Sequence, residues 1–162
     1  MDLKRAGIHE AGHFLVAFKY DPRRAVSIRV GGYPATDSTT GEKYVAAGRT
    51  ITHDLPRSSP KTLVTIRAAG LAAESLVFGQ TLESFAPDAE QYKTDVDNAK
   101  NDLEAARLPL DPDLWRMCFY DARIMLEGSE DKLSAIADYC LANRGREVTR
   151  EELVAEIGSL RS

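Results

Sequence analysis

Two histidines four positions apart, with a glutamate directly after the first, occupy the stretch His9-Glu10-Ala11-Gly12-His13. On an α-helix, residues i and i+4 share a face about one turn apart, so both imidazoles can reach one cation while Glu10 projects beside the remaining coordination position. This is one half of a hydrolytic zinc site. Catalytic zinc takes three protein ligands and leaves its fourth position to a water, whose pKa the ion lowers to roughly 7. Glu10 is placed to accept the water proton as a carbonyl is attacked and to hand it to the departing amine, so the reaction class is amide hydrolysis. The competing reading is an amphipathic helix that carries two histidines on one face by chance.

A third ligand must come from elsewhere. His53 is the only other histidine, and its setting in Thr50-Ile51-Thr52-His53-Asp54 after a strand candidate suits a solvent-facing loop. The carboxylates Asp95, Asp97 and Asp102 fall at the start and first turns of one helix candidate, where an oxygen could meet zinc at about 2.0–2.2 Å. The helix dipole alone also favours acids there, so residue type does not choose among them. Glu74 lies inside the apolar run Ala72-Ala73-Glu74-Ser75-Leu76. An acid on that face either hydrogen-bonds a ligating imidazole or sits on an exposed flank.

The elements that position these residues follow from periodicity and caps. From about Asp2 to Tyr20, Leu3, Ala6, Ala11, Phe14, Leu15 and Phe18 recur at helical spacing, and Asp21-Pro22 is a stop signal, which places the histidine motif on a helix. Residues 25 to 30 alternate as a short strand, residues 31 to 41 form a polar loop, and Tyr44 to Thr52 is a second, edge-like strand pairing with the first. Ser59 and Pro60 open a core helix that Gly79 closes. Further helices run from about Thr94 to Arg107, from Asp111-Pro112 towards Gly128, and from a Ser129 cap through Leu141. Thr149 and Glu152 have capping-box spacing for the last. The expected architecture is α+β: a mostly helical body with a small β-sheet near the N-terminus, in one domain over residues 1–162.

The 162 residues, 43% hydrophobic and 28% charged, are enough for one soluble domain with a real core. A formal net charge of −4 argues against nucleic acid as the main partner, and Arg23, Arg24 and Arg29 read as a solvated basic group. Cys118 and Cys140 lack C-x-x-C spacing and are expected to be reduced, half-buried thiols of a cytoplasmic protein. No run approaches ~18 continuous apolar residues and no charged-then-apolar leader precedes the motif, so neither a membrane span nor a secretory signal is expected.

Taken together, Ile8-His9-Glu10-Ala11-Gly12-His13, the segment Ala69-Gly70-Leu71-Ala72-Ala73-Glu74-Ser75-Leu76-Val77-Phe78-Gly79 and the order of C-terminal helices resemble the zinc peptidase domain of FtsH-type AAA+ proteases, across nearly the whole chain. The resemblance implies a zincin-like fold and a zinc metalloendopeptidase. It implies His9 and His13 as zinc ligands, Glu10 as general base and Glu74 as the partner of a ligating histidine. In that family the third ligand is an aspartate opening the following helix with alanine four residues later, a pattern similar to Asp95-Val96-Asp97-Asn98-Ala99, which carries the role to Asp95 with Asp102 in reserve. Two departures stand out: Gln91-Tyr92-Lys93-Thr94 precede Asp95 where the family places Gly-Ala, and Gly70-Leu71 replaces Gly-Arg.

No phosphate-binding G-x-x-x-x-G-K-[ST] loop is present, so any ATP-driven unfolding would come from another chain. The expected substrates are short or unfolded polypeptides, received by edge pairing on the second strand, and the expected state is a monomer or small oligomer. A second function class, a catalytically weak or inactive relative that binds peptides or a protein partner, keeps the same metal framework.

Overall fold

The computed structural model of the protein describes residues 2–37, 39–87, 89–158 and 160. Its first helix, α1 (Leu3–Tyr20), starts at Asp2, whose carboxylate accepts the Lys4 backbone N–H at 2.9 Å, and stops where Asp21 turns extended. Every residue from Ala6 to Phe18 is buried. A helix covered on all sides has to be the centre of the fold rather than its skin. Accordingly, α1 packs against α2 (Pro60–Phe78), α5 (Glu130–Ala142) and both long strands, β1 (Ala25–Thr36) and β2 (Lys43–Thr52).

The α1–α2 contact is close because its residues are small. A Cβ at Gly12 would lie 2.4 Å from the Ala69 carbonyl oxygen and 2.5 Å from the Ala73 Cβ, so only glycine fits that crossing. The second helix is set by its ends as the sequence predicts: the Ser59 hydroxyl accepts the Thr62 N–H, Pro60 opens the first turn, and Gly79 closes it in the left-handed region at φ 65°. Around this pair stand α3 (Glu90–Glu104), α4 (Pro112–Leu126) and α6 (Arg150–Ile157), the last with the expected reciprocal Thr149–Glu152 capping box.

The strands form one antiparallel sheet in the order β2-β1-β3, with β3 only Val148–Thr149, so β2 is an edge strand. The protein is therefore α+β, mostly helical, with a small sheet near the N-terminus. Among the described residues no helix is long and apolar enough to cross a membrane.

Several expectations need correction. The first strand does not end at Val30. Gly31 and Gly32 adopt φ 81° and 66°, and β1 carries one more residue than β2 between the pairs Val30↔Gly48 and Tyr33↔Ala46, so the presumed loop is a bulge after which pairing resumes to Thr36. Helix α3 begins at Glu90 and ends at Glu104, which places Asp95 in its second turn rather than at its opening. The Ser129 side chain makes no capping bond; its hydroxyl accepts from Lys19 Nζ at 3.1 Å, tying α5 to α1. The three arginines are not one solvated group. Arg24 is buried and donates to the Ser58 hydroxyl at 2.8 Å, while exposed Arg23 pairs with Asp21. Cys118 and Cys140 are free thiols, fully rather than half buried.

Candidate metal centre

Three helices each bring a row of residues at four-residue spacing to one place. Along α1 the row is Arg5, His9, His13; along α2 it is Ile66, Gly70, Glu74; along α3 it is Asp95, Ala99, Leu103. The first two rows run in opposite directions. Arg5 Nε pairs with Glu74, His9 Nδ1 lies 2.7 Å from Glu74 Oε2, and His13 Nδ1 lies 2.8 Å from the Ile66 carbonyl oxygen. Asp95, Ala99 and Leu103 are all buried, so the third row is the face that α3 turns inward.

With each imidazole donating its Nδ1 proton to an oxygen behind it, each Nε2 presents a lone pair forward. The two Nε2 atoms are 3.2 Å apart, Asp95 Oδ2 is 2.9 Å from His9 Nε2, and Asp95 Oδ1 is 3.2 Å from His13 Nε2. Four-coordinate zinc with bonds near 2.0–2.1 Å separates its ligands by about 3.3 Å, so this triangle is already close to the size of one face of such a polyhedron. Asp95 Oδ2 is buried without a directed hydrogen bond despite its proximity to His9, as expected of atoms that converge on a common point rather than on each other. The space is kept open by Gly70. A Cβ there would stand 2.4 Å from His9 Nε2 and 2.6 Å from His13 Nε2. Buried donors of the right type, backed by hydrogen bonds and facing a gap, fit a divalent cation, and among the described residues His9, His13 and Asp95 are a group that could hold one.

The electrostatics agree with that geometry. Burial opposes charging of His9, yet Asp95, with Glu74 and Glu10, outweighs it and raises the imidazole well above its ordinary pKa; His13 is raised in the same way, chiefly by Asp95. Burial pushes the Asp95 carboxyl upward, but the two imidazoles win and hold it well below the usual carboxylate range. The buried Asp95 carboxylate therefore favours positive charge at the two imidazoles, the same preference that would favour a bound cation between them.

Glu10 is buried and borders a cleft of about 570 Å³ together with His13 and Asp95. Strand β2 also lines it, with Ala46 and Gly48 to Thr52. The Thr50 hydroxyl lies 2.6 Å from Glu10 Oε2 and 2.9 Å from the Glu10 carbonyl oxygen, and a Cβ at Gly48 would come within 2.7 Å of Glu10 Cγ.

His9, His13, Asp95 and Glu10 come together, with Glu74 directly behind His9. Asp102 does not join them; it accepts from Arg67 Nε at 2.8 Å and links α3 to α2. Asp97 is partly exposed on another side of α3, and His53 is exposed after β2. Sequence reasoning missed Arg5, which a four-residue step back from His9 could have suggested, and Thr50, for which no local signal exists. Neither a protein-family model nor a curated protein matches the chain.

Proposed function

We propose that the chain is a zinc metallopeptidase, similar to the peptidase domain of FtsH-type proteases, that hydrolyses short or unfolded polypeptides. The observation that carries this reading is the convergence of His9 Nε2, His13 Nε2 and the Asp95 carboxylate on one buried point, with Glu10 on the wall of the adjoining cleft. A set of two histidines and a carboxylate also suits iron(II). Glu10, directly after the first ligand and able to act as a base, is what favours hydrolysis.

When bound, zinc would supply Lewis acidity, activating a water and polarising the scissile carbonyl. The remaining work falls to side chains of this protein. His9 and His13 keep Nε2 forward because Glu74 and the Ile66 carbonyl hold the opposite nitrogens. Glu10 takes the proton of the attacking water and returns it to the departing nitrogen. An extended peptide would lie along the free edge of β2, where backbone pairing binds many sequences alike. Two free buried thiols suit a reducing, cytoplasmic compartment, and any mechanical unfolding of larger substrates would come from a separate ATPase chain.

The test is cleavage of a quenched-peptide library by zinc-loaded protein against Glu10→Gln. Glu10→Gln should keep stoichiometric zinc and lose activity by at least about 100-fold, the scale of one general base. A zinc-loaded wild type as inert as the variant would reject the peptidase reading in favour of peptide binding.

A further inference from the structure

We infer that Thr50 is a positioning residue for Glu10, so that the strand offered to the substrate peptide also orients the base that acts on it. The inference rests on the peptidase reading of the site and concerns how β2 governs it.

A threonine hydroxyl has one proton, and here two oxygens of the same residue compete for it. Glu10 Oε2 is at 2.6 Å and the Glu10 backbone oxygen at 2.9 Å. Hydroxyl donation to a carboxylate typically closes to about 2.5–2.7 Å, whereas neutral acceptors sit further out, so the proton belongs to Oε2. With that oxygen held, the carboxylate plane is fixed and Oε1 is left to serve the cleft. The Glu10 backbone oxygen lies only 2.9 Å from the same hydroxyl, so Thr50 sits directly over this turn of α1 and the bond to Oε2 reports the position of β2 relative to the helix. Gly48, two residues earlier on β2, clears the room Glu10 needs, since a Cβ there would sit 2.7 Å from its Cγ. Two alternate residues of one strand thus shape the base. That strand is the sheet edge, where a paired peptide would order β2 and Thr50 with it.

Thr50→Val keeps the branched shape and strand preference while removing the donor. Thr50→Ser restores the donor, and Thr50→Ala, which needs less room than threonine, is measured beside them in case valine is not accommodated. The expected result with zinc-loaded protein is a fall in kcat of about 10- to 100-fold for Val and Ala, with KM for the peptide and zinc stoichiometry unchanged, and recovery to within a few-fold of wild type for Ser. Crystal structures of the same variants give a second readout that needs no turnover: Glu10 should keep one carboxylate orientation in wild type and Ser, and rotate or split in Val and Ala. Unchanged kcat in the donorless variants, or a Glu10 carboxylate that stays in place without the hydroxyl, overturns the inference. Wild type that holds zinc but cleaves nothing rejects the peptidase reading instead, and the Glu10 orientation still decides whether Thr50 holds it.

Discussion

Replacing Gly70 with alanine sets two physical arguments against each other. Gly70 lies in the interior of α2 at an ordinary helical conformation, where helix propensity alone predicts that alanine stabilises by about 0.5–1 kcal/mol. The site predicts the reverse. The new Cβ would stand 2.4 Å from His9 Nε2 and 2.6 Å from both His13 Nε2 and His9 Cδ2, against ordinary contact at 3.4–4 Å, so at least one ring must retreat by roughly 1 Å. Neither can do so freely. Glu74 holds His9 from behind at 2.7 Å and the Ile66 carbonyl holds His13 at 2.8 Å. Overpacking of this kind costs about 1–3 kcal/mol, which exceeds or matches the propensity gain. Metal–ligand distances tolerate only about 0.2 Å, so displacing two ligands should weaken zinc by at least the 10- to 100-fold typical of losing one supporting partner. At a fixed excess of zinc, a 100-fold loss removes about 2.7 kcal/mol of metal-linked stabilisation. Chelator competition gives the affinity, and thermal melts with and without zinc give the linkage. The expected variant is no more stable than wild type without metal and gains far less from zinc. An alanine variant that binds one zinc with wild-type affinity would refute the placement of the cation in the gap above Gly70.

Three further outcomes follow from the same geometry. Glu74→Gln should lower zinc affinity about 10- to 100-fold by chelator competition, because the neutral amide no longer enforces the His9 tautomer or pairs with Arg5; equal affinity would remove Glu74 from the site. Because burial is outweighed by Asp95 and both imidazoles are raised in the metal-free protein, their charged pairing stabilises that form fully below about 6.5 and is lost as pH rises through the folded values, so zinc must displace protons. Zinc affinity should therefore climb between about pH 6 and pH 8 and calorimetry in buffers of different ionisation enthalpy should detect proton release, whereas a flat profile would mean the imidazoles are neutral before binding. Proline at Ala46 and at Ala47, neighbours whose N–H groups point to opposite sides of β2, should separate the two roles of that strand: the variant that blocks the outward N–H should cut peptide cleavage with zinc retained, and cleavage by both at the wild-type rate would exclude edge pairing.

What the sequence made legible was local. The spacing of His9 and His13, the Ser59 cap, the Gly79 terminus and the Thr149–Glu152 box all act within one or two turns, and all appear where the residue pattern puts them. Residue type left Asp95, Asp97 and Asp102 open, and only the resemblance, through its aspartate with alanine four residues later, pointed to Asp95; the helix start was not legible either, because Ala89 stands at the N-cap and offers no side-chain bond, so nothing in the letters announced Glu90 as the first residue. The bulge at Gly31-Gly32 read as a loop because composition is all that two glycines and a proline convey, while the partner strand decides whether pairing resumes. Two-residue β3 is too short to have a period. Thr50, and the diversion of Ser129 to Lys19, depend on contacts between residues 40 and 110 positions apart.

The centre therefore has two independent supports that meet at a single residue. The candidate metal ligands and the groups behind them lie on α1, α2 and α3, packed against each other by small residues and held by Glu74 and the Ile66 carbonyl. The sheet edge proposed to receive a peptide and the hydroxyl bonded to the Glu10 carboxylate lie on β2. Glu10 belongs to the first set by its backbone, one residue from His9, and to the second by its side chain. On the proposed reading, a protein so arranged could lose strand order and still bind a cation, because none of His9, His13 and Asp95 lies on β2. It cannot lose strand order and keep an oriented base. Substrate pairing along the edge would consequently act on kcat as well as on binding, since the same backbone that meets the peptide carries the hydroxyl that holds Glu10. Peptides too short to order β2 should then show lower kcat as well as higher KM, a pattern that steric fit at the metal alone would not produce.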